Sequence, residues 1–465
     1  MQTPDGNLLY RLLTQPHVHV FVIPVGGTTP PSGFDRVRHA GQTREVVENW
    51  ALYEVIDARG RTHLFVRSAA GDEPIETLLN VDDEPFKWSA GVPVDEPFEL
   101  PIDEEGRAGA AFQTLVAKEL QCDLYITDAP DAVDLDGETG YRYPTEIITP
   151  EAAIPLLGLY LRGVGRYRLE TDRQLGRRQP VIPPIRGGED VVVFWHTAAR
   201  SMLWAADDWE HIDDLIPDPA KSEAFAVFAE SVLHRLDQLL RERDVLLRFL
   251  AVAPAGIEAG YLAGRSLDVI LLLALAAVDA TAEAVAAAFD LDAKRRAWTD
   301  ERFLKKLSAA CTGLADLFQP HTGGDHYAVW QVLSVFRNAI HAEPLSHDPR
   351  IPVVHDYAGR TLLPIPPARF DDVKRYLTGM DGLDRWGVYE GVNGSNKARL
   401  HPGEFVEQLV PRVFALVQRI MVEALKGKEV PMNKTWGNRY GRPLSGGEAD
   451  TLRMLGLGRV AYDAT

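Results

Sequence analysis

Cysteine and positive charge are both scarce in this sequence of 465 residues, and each shortage narrows the possible functions. The two cysteines, Cys122 and Cys311, lie far apart and neither belongs to a CxxC pair. The sequence therefore encodes neither a disulfide framework nor a structural zinc site, and we expect a cytoplasmic protein. The 49 Lys and Arg residues against 67 Asp and Glu residues give a net charge of −18. Such a charge repels polyanions and disfavours a sequence-blind coat protein for DNA or RNA.

Long apolar runs and familiar catalytic motifs are missing as well. The longest apolar run, residues 269–278, is about half as long as a bilayer requires, so we predict a buried helix there and no membrane partner. The sequence contains no GxxxxGK[ST] phosphate-binding loop and no GxSxG nucleophile elbow. With 46% hydrophobic and 25% charged residues, the composition is that of a globular protein, and the length predicts two or three domains.

The sequence predicts an α+β protein in three parts. These are a mixed α/β region, a mainly helical bundle and an extended basic tail, over residues 1–188, 189–430 and 431–465. Strand-like runs recur in the first part, at residues 17–25, 50–56 and 61–67, and a helix followed by a strand is predicted over residues 108–128. Residues 177–188 are rich in Arg and Pro and cannot continue a helix. They therefore mark the boundary between the first and the second part.

Apolar residues recur near a period of 3.6 throughout the second part, which is typical of amphipathic helices. The predicted helices span residues 222–250, 266–289, 300–318, 326–341 and 402–426. The fourth of these helices ends before Pro344 and carries the one chemical motif that stands out in the sequence.

This motif consists of Arg337, Asn338 and His341. Positions i and i+4 are neighbours on a helix surface, so Arg337 and His341 are predicted to share a face, with Asn338 beside them. A guanidinium can hold two phosphate oxygens at once, and an imidazole can donate or accept a proton near neutral pH. The trio therefore suits a phosphodiester, and this chemistry requires no metal or other cofactor.

With this motif at the end of an apolar helix, the second part resembles the HEPN superfamily, over residues 220–345 approximately. The resemblance implies a helical-bundle homodimer in which two Arg-polar-x-x-His motifs face each other. It also implies metal-independent ribonuclease activity, in which the ribose 2′-hydroxyl attacks the adjacent phosphate. Arg337, Asn338 and His341 match the family's arginine, polar residue and histidine. The family further suggests bacterial defence or toxin effectors, with residues 1–188 binding a protein or small-molecule activator.

The spacing departs from the family's usual pattern, because only three residues separate Arg337 from His341. This shorter register leaves open an alternative function, a non-catalytic dimeric binding or scaffold protein. A further alternative places metal-dependent nuclease chemistry at Asp123 and Asp128, which flank a predicted strand in the first part.

Basic residues that offset the net charge locally are candidates for binding the phosphates of RNA. The candidates are the cluster Lys294, Arg295 and Arg296 and the pair Lys305 and Lys306.

Overall fold

The structure is a computed structural model, and its described residues fall into two compact units, Met1–Ile185 and Arg186–Thr465. The described residues are 8–13, 15, 18, 51–56, 62–68, 75–80, 87–90, 98–99, 124–126, 146–169, 187–252, 257–292, 297–342, 354–355, 361–365, 367–390, 398–430 and 444–458. The first helix of the second unit begins at Gly187, within the segment where the sequence predicts the boundary.

The first unit contains a five-stranded antiparallel sheet in which each strand pairs with the next along the chain. Its strands are β1 (Ala51–Ile56), β2 (Thr62–Ser68), β3 (Ile75–Asn80), β4 (Lys87–Ala90) and β5 (Phe98–Glu99). Ala51 pairs with Arg67 and Ile56 with Thr62, so the two strands predicted near residues 50–56 and 61–67 form a hairpin. The predictions at 17–25 and 108–120 lie outside the described residues, apart from Val18.

A short parallel pair and two helices complete the described part of this unit. These elements are α1 (Leu8–Leu13), β6 (Leu124–Ile126), β7 (Glu146–Ile148) and α2 (Pro150–Gly163). Helix α2 has a favourable start, because the Thr149 hydroxyl accepts a hydrogen bond from the Ala152 amide at 3.3 Å and Pro150 occupies the first helical position.

The second unit is mainly helical, as predicted. Its helices are α3 (Gly187–Met202), α4 (Ala206–Glu210), α5 (Pro219–Val252), α6 (Ile257–Ala288), α7 (Glu301–Ala310), α8 (Thr312–Asp316), α9 (Gly324–Ala342), α10 (Pro367–Gly379), α11 (Pro402–Gly427) and α12 (Gly446–Leu455). A small antiparallel sheet lies among them, in the order β10 (Val388–Tyr389), β11 (Arg399–Leu400), β9 (Thr361–Pro364) and β8 (Val354–His355). The long antiparallel helices α5 and α6 form the most extensive contact, and α11 packs against both of them.

A row of aromatic rings links α7 to α9 through the core. Trp298 stacks on Phe318 with ring centroids 3.9 Å apart, and Phe303 of α7 meets Trp298 edge to face. Phe318 in turn meets Trp330 of α9 at 5.3 Å. The contacts of Phe318 with Trp298 and Trp330 join residues that are 20 and 12 positions apart, so they help to fix the position of α9 against its neighbours.

Two predictions about elements in this unit are wrong. The helix predicted over residues 300–318 is broken at Cys311, whose backbone is extended and whose thiol donates to the Glu423 carbonyl oxygen at 3.3 Å. The tail predicted as extended contains α12, which packs against α3. Ser445 and Glu448 form a capping box there, and this box satisfies the first free amides of the helix.

Helix α6 carries the apolar run that the sequence predicts to be buried. By length and composition the stretch Gly260–Ala288 could cross a membrane, but 67% of its most apolar part is buried inside the protein. Burial of this extent is typical of a core helix, and only one stripe of α6 remains partly open.

Candidate functional site

Helix α9 positions the predicted motif by burying one face and leaving the others accessible. Its buried residues are Val329, Trp330, Val332, Leu333, Phe336 and Ala339. Phe336 anchors the helix to α11 through an edge-on contact with Phe405 at 5.4 Å, and α9 also packs against α6 and α10. The predicted inward positions at 329 or 330, 333 and 336 are therefore confirmed.

Arg337 lies at the edge of the buried face, one turn before His341. It is half-buried and forms no hydrogen bond or ion pair with any other described residue. Asn338 is exposed, one position further round the helix. The helical backbone continues through His341, so Arg337 and His341 keep the i, i+4 relationship that their spacing predicts.

A polar line runs along the same helix towards its N-terminus. Tyr327, Gln331, Ser334, Asn338 and His341 follow one another at intervals of four and three residues, which places them on one side of α9. The first four are partly or fully exposed. The line is about 21 Å long at 1.5 Å per residue, and it begins at a cleft.

This cleft of about 520 Å³ lies between the N-terminal turns of α9 and the C-terminal half of α10. Tyr327 and Tyr376 face each other in it, with ring centroids 6.2 Å apart. The Arg375 guanidinium lies 4.7 Å from the centre of the Tyr376 ring and donates to the Tyr376 hydroxyl at 3.0 Å. Two aromatic rings and the Arg375 guanidinium thus line the cleft together with Asp325, and Arg375 also pairs with Asp372 at 3.5 Å. The rings suit a planar ligand that can stack on them.

Burial shifts the pKa of one tyrosine in the cleft. It raises the pKa of the Tyr327 phenol above its usual value, and the neighbouring Tyr376 raises it further. A tyrosine phenol is protonated at physiological pH even at its usual pKa, so it can donate a hydrogen bond there, and the shift does not change its charge in that range. Only glycine fits at position 323, one turn before Tyr327. A Cβ there would approach the Leu317 carbonyl oxygen to 2.3 Å and the Tyr327 Cβ to 2.7 Å.

The predicted RNA-binding lysines are only partly described. Lys305 and Lys306 are exposed on α7, opposite its buried residues Phe303, Leu304 and Leu307. Lys294, Arg295 and Arg296 lie outside the described residues. Helix α7 contacts α8 and the short helix Ala297–Thr299, whereas α9 packs against other helices.

Sequence reasoning missed the cleft, because its two tyrosines lie on different helices and neither belongs to a recognisable motif. The acids of the alternative metal site, Asp123 and Asp128, lie outside the described residues. Within the ranges given above, no group of three or more His, Cys, Asp or Glu side chains is arranged to hold a metal ion.

Comparisons with known proteins give no relative for this chain. No protein-family model matches it, and neither a curated protein nor a solved structure is significantly similar to it. The residues of α9 and the adjoining cleft are therefore the basis on which a function is proposed.

Proposed function

We propose that this protein is a cytoplasmic HEPN-like ribonuclease that cleaves single-stranded RNA without a metal ion, using Arg337, Asn338 and His341. The observation that carries the proposal is the position of Arg337, half-exposed one turn from His341 and held by no carboxylate of the described chain. In a protein of net charge −18, an arginine without an acidic partner keeps its charge available for a phosphate.

The chemistry follows from these groups. The 2′-hydroxyl of the ribose attacks the adjacent phosphorus, and the bond to the 5′-oxygen of the next nucleotide breaks. The products are a 2′,3′-cyclic phosphate and a 5′-hydroxyl end. Arg337 would stabilise the charge on the non-bridging oxygens, and His341 would transfer a proton to or from the ribose oxygens. Asn338 would orient the phosphate by hydrogen bonding.

The cleft and the polar line extend the proposed site beyond the motif. A base stacked on Tyr376 and Arg375 would direct the strand along α9 towards Arg337 and His341. Unpaired bases can enter such a cleft, whereas bases inside a duplex cannot, so the expected substrate is a single-stranded or looped region.

Substitution of the motif tests the activity directly. His341→Ala and Arg337→Ala should each lower the rate of cleavage of an end-labelled RNA by about 10²-fold or more. The wild-type rate should be unchanged by EDTA, and the products should carry cyclic phosphate ends. His211→Ala, which removes a 72% exposed histidine from the segment after α4, controls for contaminating nucleases and should leave cleavage unchanged. Cleavage by His341→Ala at the wild-type rate would exclude this site.

A non-catalytic RNA-binding or scaffold role is the second candidate. The observation in its favour is the spacing of three residues between Arg337 and His341, shorter than the family's usual pattern. In that case the wild-type protein would bind RNA without cutting it, and Arg337→Ala would lower the affinity. A homodimer, a bacterial defence role and an activator bound by the first unit are parts of the proposal that the resemblance alone suggests.

A further inference from the structure

The cleft between α9 and α10 combines two aromatic walls with a carboxylate. The planes of the Tyr327 and Tyr376 rings are 74° apart, so the two rings form a corner against which a flat ligand can lie. Asp325 and Ala328 also line the cleft, and because they are three residues apart they lie on the same side of α9. A ligand that stacks on a tyrosine therefore shares the cleft with the Asp325 carboxylate.

Two other polar groups of the cleft are already partnered. The Tyr376 hydroxyl accepts a hydrogen bond from Arg375 at 3.0 Å, and the same guanidinium pairs with Asp372 at 3.5 Å. The Asp325 carboxylate is exposed, and it forms no hydrogen bond or ion pair with another residue of the described chain. It therefore remains available to a ligand, and an ionised carboxylate only accepts hydrogen bonds.

Such an acceptor distinguishes the four bases of RNA by their Watson–Crick edges. Guanine presents two adjacent N–H donors there, at N1 and at the 2-amino group. Adenine and cytosine each present one amino donor beside a ring nitrogen that accepts, and uracil presents one N–H between two carbonyl oxygens. A carboxylate can accept two parallel hydrogen bonds from guanine, whereas with each of the other bases it would also face an acceptor.

We propose that the cleft is a guanine-binding site, in which the base stacks on the tyrosines and Asp325 accepts hydrogen bonds from N1 and the 2-amino group. The inference rests on the proposed role of the cleft in binding single-stranded RNA, and it assigns base specificity to Asp325. A quaternary ammonium ion, which aromatic rings can also hold, fits less well because the Arg375 guanidinium already lies 4.7 Å from the centre of the Tyr376 ring.

Binding of mononucleotides to the full chain tests this inference, with GMP, IMP and AMP as the probes in isothermal titration calorimetry. All three carry the same ribose and phosphate, so differences in affinity report the base. GMP should bind about tenfold or more tightly than AMP. IMP lacks the 2-amino group but keeps the N1 donor, and it should have an intermediate affinity.

Substitution of Asp325 tests the assignment of the acceptor. Asp325→Asn has nearly the same shape but places an amide donor opposite one of the guanine donors. The affinity for GMP should therefore fall about tenfold or more, and its advantage over AMP should disappear. Asp371→Asn, at an exposed position of α10 outside the cleft lining, removes the same charge and should leave the preference unchanged. Circular dichroism shows that each variant is folded, and the comparison of GMP with IMP needs no variant.

Three results would overturn the inference. They are a wild type without preference for GMP over AMP and IMP, an Asp325→Asn variant that keeps the preference, and a tetramethylammonium ion that binds more tightly than GMP. The inference and the proposed activity fail separately. Guanine-dependent binding without cleavage of RNA would support the guanine site and exclude the nuclease. Cleavage of RNA with equal binding of the mononucleotides would do the reverse.

Discussion

At the scale of single residues, the arginines of the second unit differ in whether a carboxylate pairs with them. Arg200 donates to Glu210 at 2.6 Å and to Asp207 at 2.7 Å, and the Glu210 hydrogen bond raises its already high pKa further. Arg412 lies over the Trp386 ring and pairs with Asp381. These guanidiniums are already neutralised by their partners. Arg337 has no such partner among the described residues, which leaves its charge for an incoming anion.

Tyr376 provides the test of the cleft at this scale. Tyr376→Ala removes the ring that Arg375 and Tyr327 contact, so the affinity for a single-stranded oligoribonucleotide should fall by about 1 to 3 kcal/mol, the value of one stacked base. Fluorescence anisotropy of a labelled oligonucleotide measures the effect, in the His341→Ala background that the proposal expects to leave the RNA uncut. Tyr160→Ala changes a 49% exposed tyrosine of the first unit and serves as the control. Equal affinities for the two tyrosine variants would contradict a stacking role.

At the scale of elements, α12 shows how a buried charge fixes a terminal helix. Arg243, in the C-terminal half of α5, is 4% exposed and donates to the Leu455 carbonyl oxygen at 3.0 Å. This bond satisfies an orphan carbonyl in the last turn of α12 and places a cation at the negative end of its dipole. The same guanidinium lies 3.8 Å from the buried Asp244 carboxylate.

Arg243→Met should therefore destabilise the protein by about 3 kcal/mol, because it leaves the Leu455 carbonyl and the Asp244 charge less compensated inside the fold. Urea unfolding followed by circular dichroism measures the loss. Arg241→Met, an exposed arginine on the same helix, should change the stability by less than about 0.5 kcal/mol. If the stability of Arg243→Met changes by a similarly small amount, α12 is held by its apolar contacts alone.

Patterns local to one helix predicted their elements well, and contacts between distant segments were not predictable. The helix predicted at 326–341 is α9, Gly324–Ala342, because its apolar period alone defines it. The break at Cys311 depends on a carbonyl more than a hundred residues away, at Glu423. Helix α12 had a readable signal in the Ser445-x-x-Glu448 capping box, which the Gly-rich composition around it obscured.

The candidate site likewise has one part that could be predicted from the sequence and one part that could not. The helical backbone that separates Arg337 and His341 by one turn was predicted from the apolar period of the helix. The aromatic cleft was not, because Tyr327 and Tyr376 meet only when α9 packs on α10.

At the scale of the whole molecule, the chain is divided between two compact units with different content. The first contains most of the described strands, and the second combines ten described α-helices with the small β8–β11 sheet around one core. Helices α5, α6 and α11 form the centre of that core, and all three belong to the second unit. Such a unit contains its own hydrophobic core, which is the requirement for folding alone.

Residues 186–465 produced as a separate chain should therefore be helical and unfold cooperatively on heating. Circular dichroism gives both the helix content and the transition, and the full-length protein is the reference. If the proposed site is complete within this unit, the fragment should also bind single-stranded RNA. A fragment that aggregates or melts without a transition would show that the second unit depends on the first.

The row of stacked rings between α7 and α9 has a consequence for spectroscopy. Trp298 and Phe318 are nearly parallel, 9° apart, and the Trp298 indole nitrogen donates to the Val278 carbonyl oxygen at 2.9 Å. Ring currents in such a stack displace proton resonances upfield, and the hydrogen-bonded indole proton gives a separate signal. Because Trp330 connects the row to Tyr327, an oligonucleotide entering the cleft should shift these resonances without any label on the protein.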